Sequence, residues 1–182
     1  MIKPRYANFE NVQLELELIV KNKKDDFFFV ICPDAVVYRS NLNDVNLEYC
    51  LANNIRVVDT SNFGGTIVAS KFDIGLAIVK KDGNDVGDRL INYLIEKLSS
   101  KISNLKISEN DILADDKYKI ASYASTYIGD NYYYTVAEIS LNPNLEHIKN
   151  ICSKAMVKEP GGLLNWGFKL DEIIKMVQEF IA

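Results

Sequence analysis

Three short polar segments, each beside an apolar strand pattern, constrain the fold of this chain most. The glycine pair Gly64-Gly65 follows the apolar run at 55–58, Asn110-Asp111 opens a second run, and Lys119 lies on a third, eight residues beyond Asp111. Glycines let a backbone approach a ligand closely, and a lysine on a strand facing such a loop supplies a fixed positive charge. We therefore expect a fold that brings the three segments together around a phosphate or a carboxylate.

Strand and helix patterns follow one another along the chain without regular alternation. Short apolar runs at 27–32 and 55–58 predict buried strands. Apolar residues at helical spacing predict amphipathic helices at 86–98 and 170–181. No repeat or linker divides the 182 residues, and 48% hydrophobic content is enough for one buried core. We predict a single α+β domain over residues 1–182, with a mixed, largely antiparallel sheet flanked by helices.

Turn, cap and propensity signals predict the remaining elements. Residues 12–20 alternate apolar and polar side chains as a strand does, while their leucines and glutamates favour a helix. Residues 129–131 predict a hairpin turn, and residues 66–69 and 74–79 predict a strand pair joined by a short turn. Helices are predicted at 43–53 and at 142–157, the first with Val45, Leu47, Leu51 and Ala52 available for burial.

Composition and charge argue against several classes of function. The net charge of −4 and the lack of a Lys/Arg-rich block argue against a nucleic-acid partner. The odd number of cysteines argues against a disulfide framework, and a single histidine, His147, argues against a zinc site. No run reaches the length of a signal peptide core or of a membrane span. We therefore expect a soluble cytoplasmic protein that does not bind membranes.

Five segments lie in a particular order: a strand with Arg39 at 35–41, Asn-Leu-Glu-Tyr at 46–49, a glycine loop at 57–69, Asn-Asp at 110–111, and a lysine segment at 119–124. This order resembles the catalytic domain of lipoate–protein ligases, in the wider biotin/lipoate ligase and octanoyltransferase superfamily. The resemblance covers roughly residues 7–165. It implies that residues 12–20 form a helix in spite of their alternation.

Lys119 is the first candidate for a catalytic residue. In the family, the equivalent lysine binds the acyl carboxylate and the phosphate of an acyl-adenylate and offsets the charge that develops during transfer. The residues alone also allow a solvated lysine on an edge strand, with Lys117 on the same face. The resemblance implies ATP and lipoate as ligands, a possible role for Mg²⁺, and a lipoyl-domain-like acceptor protein. The binding residues it implies are Arg39, Gly64, Gly65, Thr66, Asn110, Asp111 and Ser122.

The glycine loop departs from the family pattern. Asp59 and Thr60 stand where the family has two arginines, Phe63 replaces the first of three glycines, and Ala69 replaces a histidine. An aspartate near a phosphate repels it, and two like charges about 4 Å apart cost roughly 4 kcal/mol at an effective dielectric constant of about 20. Either a metal bridges Asp59 to the phosphate, or nucleotide binding is weakened or lost. The family's glycine after the lysine is Ser122 here.

Each remaining candidate has a structural alternative. Arg39 could contact a phosphate or form a surface ion pair, and Asp111 could hold Mg²⁺, orient Lys119 or cap a strand. Gly64-Gly65 could be a turn between strands. Cys152 is expected in the core, and no cysteine lies between residues 99 and 122, where one subgroup of the family carries its nucleophile.

Aromatic residues are assigned to packing more readily than to ligand binding. The tyrosines of the predicted hairpin are typical of half-buried strand faces, although tyrosine is also favoured at interfaces. Trp166 is expected to pack on the last helix. The hairpin tyrosines are Tyr123, Tyr127, Tyr132, Tyr133 and Tyr134.

Two functions fit these observations. One is a lipoate–protein ligase-like enzyme that activates or transfers lipoate, or a related acyl group, to a lysine of an acceptor domain. The other is a catalytically degenerate protein of the same fold that acts as a binding or scaffold module. The replacement of the loop arginines and histidine argues against adenylation and favours the binding or scaffold module. The position of Lys119 favours the enzyme.

Overall fold

A computed structural model describes residues 5–6, 9–32, 34–39, 44–59, 66–152 and 158–182. Its helices are α1 (Phe9–Asn22), α2 (Leu47–Ala52), α3 (Val86–Leu98), α4 (Leu145–Ile151) and α5 (Leu170–Ile181), with a 3₁₀ turn at Leu163–Trp166. Its strands are β1 (Arg5–Tyr6), β2 (Asp26–Ile31), β3 (Val36–Arg39), β4 (Arg56–Asp59), β5 (Ile67–Ala69), β6 (Ile74–Lys81), β7 (Leu105–Ser108), β8 (Asp111–Ala114), β9 (Tyr118–Gly129), β10 (Tyr132–Ile139) and β11 (Glu159–Pro160).

The described strands form two sheets. The larger has eight strands in the order β1-β2-β6-β10-β9-β8-β7, with β11 pairing with β9, and the smaller has the order β4-β3-β5. Most neighbours in the larger sheet run antiparallel, and the β1–β2 and β11–β9 pairs run parallel. The prediction of an α+β fold with a mixed, largely antiparallel sheet is confirmed.

Three hydrophobic clusters hold the layers together. Helices α3 and α5 cover one face of the larger sheet and bury Leu90, Leu94 and Val177 against it. The smaller sheet and α1 lie on the other face, where Ile19 and Ala69 join the cluster formed by β2, β6 and β10. A third cluster joins the smaller sheet to α2 and α4. The larger sheet is therefore covered on both faces, and any site between the two sheets is bounded by strands.

Two local predictions are confirmed by the backbone. The segment 12–20 lies within α1, as the resemblance implies; its alternation arises because Leu14 and Leu18 are exposed on the helix surface. The hairpin between β9 and β10 turns at Asp130 and Asn131, whose φ angles of 54° and 62° match the left-handed pair that a type I′ turn requires.

Three predictions need correction. Residues 66–69 and 74–79 are strands, but β5 pairs with β3 and β6 pairs with β2 and β10, because the turn between them crosses from one sheet to the other. Helix α2 begins after the cap Asn46 and buries Cys50, whereas Leu47, Leu51 and Ala52 are exposed; Val45 is buried ahead of the helix. Helix α4 begins after the cap Asn144 and reaches Ile151, and residues 153–157 lie outside the described part of the chain.

A buried aspartate fixes the connection between the two sheets. The carboxylate of Asp73 accepts hydrogen bonds from the backbone N–H of Ser70 at 2.7 Å and of Leu141 at 2.8 Å. Burial raises the pKa of Asp73 to about 6, against the opposing effect of these hydrogen bonds. The hydroxyl of Ser70 in turn accepts from the N–H of Asn144 at 2.9 Å. Asp73 therefore ties the start of β6 to the end of β10.

Replacing Asp73 with Asn should destabilise the fold by about 1–3 kcal/mol, because an amide nitrogen would face one of the two buried N–H groups and leave it unpaired. Urea denaturation of D73N at neutral pH measures this loss. The exposed Asp82→Asn is the matched control and should change the free energy of unfolding by less than about 0.5 kcal/mol. Equal stability of D73N and the unchanged protein would contradict the role of Asp73 as a tie.

Candidate functional site

A row of polar positions crosses the larger sheet on the face that carries the smaller sheet. Asp111 on β8 lies opposite Ser122 on β9, Ser122 lies opposite Glu138 on β10, and Glu138 lies opposite Gly75 on β6. Residues directly opposite each other on neighbouring strands point to the same face. Strand register alone therefore brings two carboxylates and a hydroxyl together from three strands.

Asp111 holds two lysines. Its Oδ1 lies 3.3 Å from Nζ of Lys119, and its Oδ2 accepts a hydrogen bond from Nζ of Lys158 at 2.6 Å. Lys158 also donates to the carbonyl of Ser108 at 3.2 Å. The hydrogen bond to Asp111 raises the pKa of Lys158. The side chains of Asp111 and Lys158 are 15% and 20% exposed, whereas Lys119 is 38% exposed and retains an open side for a ligand.

Glu138 is the second carboxylate of the row. It is half-buried, and no hydrogen bond to its carboxyl group comes from the described residues. Burial raises the pKa of Glu138 to about 8, the charges of Asp73 and Asp111 act in the same direction, and Lys119 opposes them. Glu138 is therefore a carboxyl group that keeps its proton to a higher pH than an ordinary glutamate does.

These residues line a cleft between the two sheets that leads to an apolar pocket. The cleft has a volume of about 550 Å³, and Thr66 and Ile67 of the smaller sheet form its opposite wall. Oγ1 of Thr66 is buried and has no hydrogen-bond partner within the described residues. Ile67 and Glu138 line both the cleft and a pocket of about 50 Å³. The other residues lining this pocket include Phe28, Val30, Ala69, Gly75, Ala77 and Val136.

Gly75 keeps this pocket open beside Glu138. A Cβ atom at position 75 would lie 3.3 Å from Cγ2 of Val30, so any larger side chain would occupy the pocket. The site is thus amphipathic. One end has charged and titratable side chains, and the other end is a narrow apolar pocket.

Solved structures of ligases share this arrangement of strands and helices. Protein Ta0514 of Thermoplasma acidophilum, with bound lipoic acid, matches with a TM-score of 0.77 over 98% of this chain and 84% of its own, at 13% identity. The bipartite lipoate protein ligase of the same organism matches at 0.75 over 99% and 82%, at 15% identity. This chain has the biotin/lipoate–protein ligase fold. Aquifex aeolicus biotin protein ligase, with biotin and ATP, matches at 0.55 over 91% and 63%, at 8% identity.

Sequence comparison adds no closer relationship. No family model matches this chain, and no curated protein sequence matches it. The relationship to the ligase fold therefore rests on structure. Any inference about function must therefore be made from the residues that line the cleft.

The fold brings four of the sequence-predicted site residues together. Lys119, Asp111, Thr66 and Ser122 all line the cleft. Lys119 does not lie on an edge strand, because β8 and β11 both pair with β9 at its position. Asp111 contacts both Lys119 and Lys158, so a role in orienting Lys119 stays a prediction.

The other predicted site residues lie elsewhere or beyond description. Asn110 is exposed in the turn before β8, where its carbonyl accepts a hydrogen bond from the N–H of Tyr123. The backbone of Arg39 pairs with Asp59 in the smaller sheet, and the side chain of Arg39 lies outside the described part of the structure. Gly64 and Gly65 lie outside the described residues, together with Thr60 and Phe63.

Sequence reasoning missed two residues of the site. Glu138 interrupts the apolar strand around Val136 and Ile139, and an acidic residue in such a run is a usable signal. Lys158 follows the segment predicted as a helix and carries no comparable signal, because its contact with Asp111 spans 47 positions of the sequence. Non-local pairs of this kind depend on the tertiary fold.

Of the cysteine and aromatic candidates, Cys152 lines the cleft, as Lys119 and Lys158 do. Cys152 follows the last residue of α4 and is only partly buried, so the expectation that it belongs to the core is wrong. Burial nevertheless raises the pKa of its thiol, which disfavours the thiolate. Trp166 packs edge-on against Tyr118, with 6.1 Å between ring centroids. Tyr127 and Tyr133 pack on each other at 5.4 Å. Tyr127 is nevertheless 57% exposed, so the packing role of the hairpin tyrosines stays a prediction.

The length and composition of the helices can be compared with those of membrane-spanning segments. Within the described residues, none of the helices combines the length and the apolar character that crossing a bilayer needs.

A double-mutant cycle tests the bridging role of Asp111. Asp111→Asn, Lys158→Met and the double variant should give a coupling energy of about 1 kcal/mol or more in urea denaturation, because both side chains are largely screened from solvent. The exposed pair Lys117–Glu159 is the control and should couple by less than about 0.5 kcal/mol. Equal coupling in the two pairs would show that Asp111 forms only a surface ion pair.

Proposed function

We propose that this protein binds an activated acyl group, an acyl-adenylate of lipoate or a related acid, in the Lys119 cleft and transfers it to a lysine of an acceptor domain. The observation that supports this most is the amphipathic site itself. An acyl-adenylate has an apolar chain next to a carbonyl and a phosphate, and the site has an apolar pocket next to Lys119.

The charges of the cleft support the same ligand class. Asp111 fixes Lys119 in position, so little side-chain entropy is lost when its open side meets a carbonyl or phosphate oxygen. The hydroxyl of Thr66, on the opposite wall, adds a polar group that needs a partner. Ser122, which lies opposite Glu138 in the polar row, provides another hydroxyl.

Relatives of the same fold suggest the partners. Ta0514 has bound lipoic acid, the bipartite ligase was studied with its E2 lipoyl domain, and the Aquifex enzyme has biotin and ATP. By analogy, we propose lipoate and ATP-derived adenylate as ligands and a lipoyl-domain-like protein as acceptor. We also propose that the 182 residues act as one domain, in the cytoplasm.

A second candidate is a binding or scaffold module without catalysis. Its support is the replacement of the loop arginines by Asp59 and Thr60 and of the loop histidine by Ala69, which lies buried at the apolar pocket. In this case the cleft would hold an acyl group or acyl-adenylate without making or transferring it.

Calorimetric titration with a non-reactive sulfamoyl analogue of lipoyl-AMP tests both candidates. We expect saturable binding, and we expect Lys119→Ala to weaken it by at least about tenfold, a loss of roughly 1.4 kcal/mol. Lys117→Ala is the control, because Lys117 forms an ion pair with Glu159 outside the cleft and its loss should change affinity by less than about twofold.

The outcomes separate the candidates. Binding of the analogue together with acylation of an added lipoyl domain by lipoyl-AMP supports the transferase. Binding without acylation supports the binding module. No heat from the analogue, from lipoate or from ATP at millimolar concentration would exclude both.

A further inference from the structure

Acyl transfer to a lysine requires removal of a proton from the acceptor amine, and Lys119 cannot accept that proton. The ε-amino group of a lysine is protonated at neutral pH, and an ammonium group has no electron pair with which to attack a carbonyl. A transfer site therefore needs a group that takes this proton. Lys119 is itself a cation, so this base must be another residue of the cleft.

Among the described residues that line the cleft or the apolar pocket, the carboxylates other than Glu138 are engaged or exposed. Asp111 is engaged by the ammonium groups of Lys119 and Lys158. Asp73 accepts two backbone N–H groups as the tie between the sheets. Glu109 is 87% exposed, where water screens it and competes for any amine. Glu138 is the remaining carboxylate among the described residues that line the cleft.

The position of Glu138 suits a base. It lies between Lys119 and the apolar pocket, since it lines the cleft and the pocket at once. With the acyl chain in the pocket and its carbonyl at Lys119, the reacting carbon lies beside Glu138. Burial and nearby charges act on its carboxyl group, and no hydrogen bond from the described residues does, so it is available to an incoming amine.

We propose that Glu138 is the general base of acyl transfer, receiving the proton of the acceptor amine. This inference rests on the proposed transfer function. The carboxylate of Glu138 takes one proton from the ammonium group and leaves a neutral amine. The amine electron pair forms the C–N bond, and the C–O bond to the phosphate breaks, with its electron pair leaving on AMP. The amide nitrogen loses its second proton to water, and Glu138 returns the first to solvent.

The surroundings of Glu138 favour this role near neutral pH. Asp73 and Asp111 disfavour its ionised form, Lys119 favours it, and the Cys32 thiol lines the same pocket. Its raised pKa lies closer to that of the amine it deprotonates, which makes this carboxyl group a stronger base than an ordinary glutamate. A carboxyl group in open water would be too weak a base.

The test uses preformed lipoyl-AMP with two small amines, N-acetyl-lysine amide and hydroxylamine, and mass spectrometry of the products. Hydroxylamine is already unprotonated at neutral pH and needs no base. E138Q should slow transfer to the lysine by about 100-fold and transfer to hydroxylamine by less than about threefold. Reactions without protein give the uncatalysed rate, and Glu96→Gln, an exposed change on α3, is the control for a Glu-to-Gln change.

The pH profile gives a second readout. With the unchanged protein, transfer to the lysine should rise with pH and level off near pH 8, where Glu138 becomes ionised. With E138Q, the slow residual rate should keep rising tenfold for each pH unit, because it follows the free amine. Glu138→Asp keeps a carboxylate and should restore a plateau. Analogue binding by E138Q within about threefold of the unchanged protein shows that the variant is folded.

Each outcome bears on a separate claim. Equal transfer by E138Q and the unchanged protein would overturn the role of Glu138 and leave the transfer function in place. Parallel loss with lysine and hydroxylamine would make Glu138 a binding or structural residue, and would also overturn it. No binding and no acceleration by the unchanged protein would overturn the proposed function itself.

Discussion

The interaction on which the site depends is the carboxylate of Asp111 between two lysine ammonium groups. Lys119 and Lys158 come from different parts of the chain, and both converge on Asp111 at 3.3 Å and 2.6 Å. Without the aspartate, two positive charges would repel each other in a half-buried cleft. With it, the carboxylate lies between the two ammonium groups, and the more exposed Lys119 keeps a side open to a ligand. One residue at the start of β8 thus determines where the positive charge of the cleft lies.

The second constraint is the coupling between this charge cluster and the apolar pocket. Strand register aligns Asp111, Ser122 and Glu138 on the face shared with the smaller sheet, and the Asp73 tie holds the ends of β6 and β10 together beside them. Asp59, the substitution that argues most against nucleotide binding, is exposed at the end of β4. Asp59 is not among the described residues that line the cleft or the apolar pocket.

Much of this fold could be predicted from local signals. The spacing of apolar residues identifies α3 and α5, and the Gly-Asp-Asn turn identifies the central hairpin. Local patterns gave the wrong secondary structure or strand pairing where tertiary contacts determine the conformation. The alternation in α1 comes from the exposed Leu14 and Leu18, and the turn before Asp73 changes sheets instead of forming a hairpin. The same distinction holds for the site. The order of the motifs predicts Lys119 and Asp111 as site residues, whereas the ion pair between Lys158 and Asp111 depends on the tertiary fold and could not be predicted from the sequence.

The central claim is that one ligand spans the Lys119 cleft and the apolar pocket. A crystal structure of the protein with the sulfamoyl analogue of lipoyl-AMP tests it most directly. We expect the sulfamoyl or carbonyl oxygen to lie within hydrogen-bond distance of Nζ of Lys119, with the acyl chain between Val30, Ile67 and Val136. An acyl chain bound elsewhere, or a bound analogue without contact to Lys119, would contradict it.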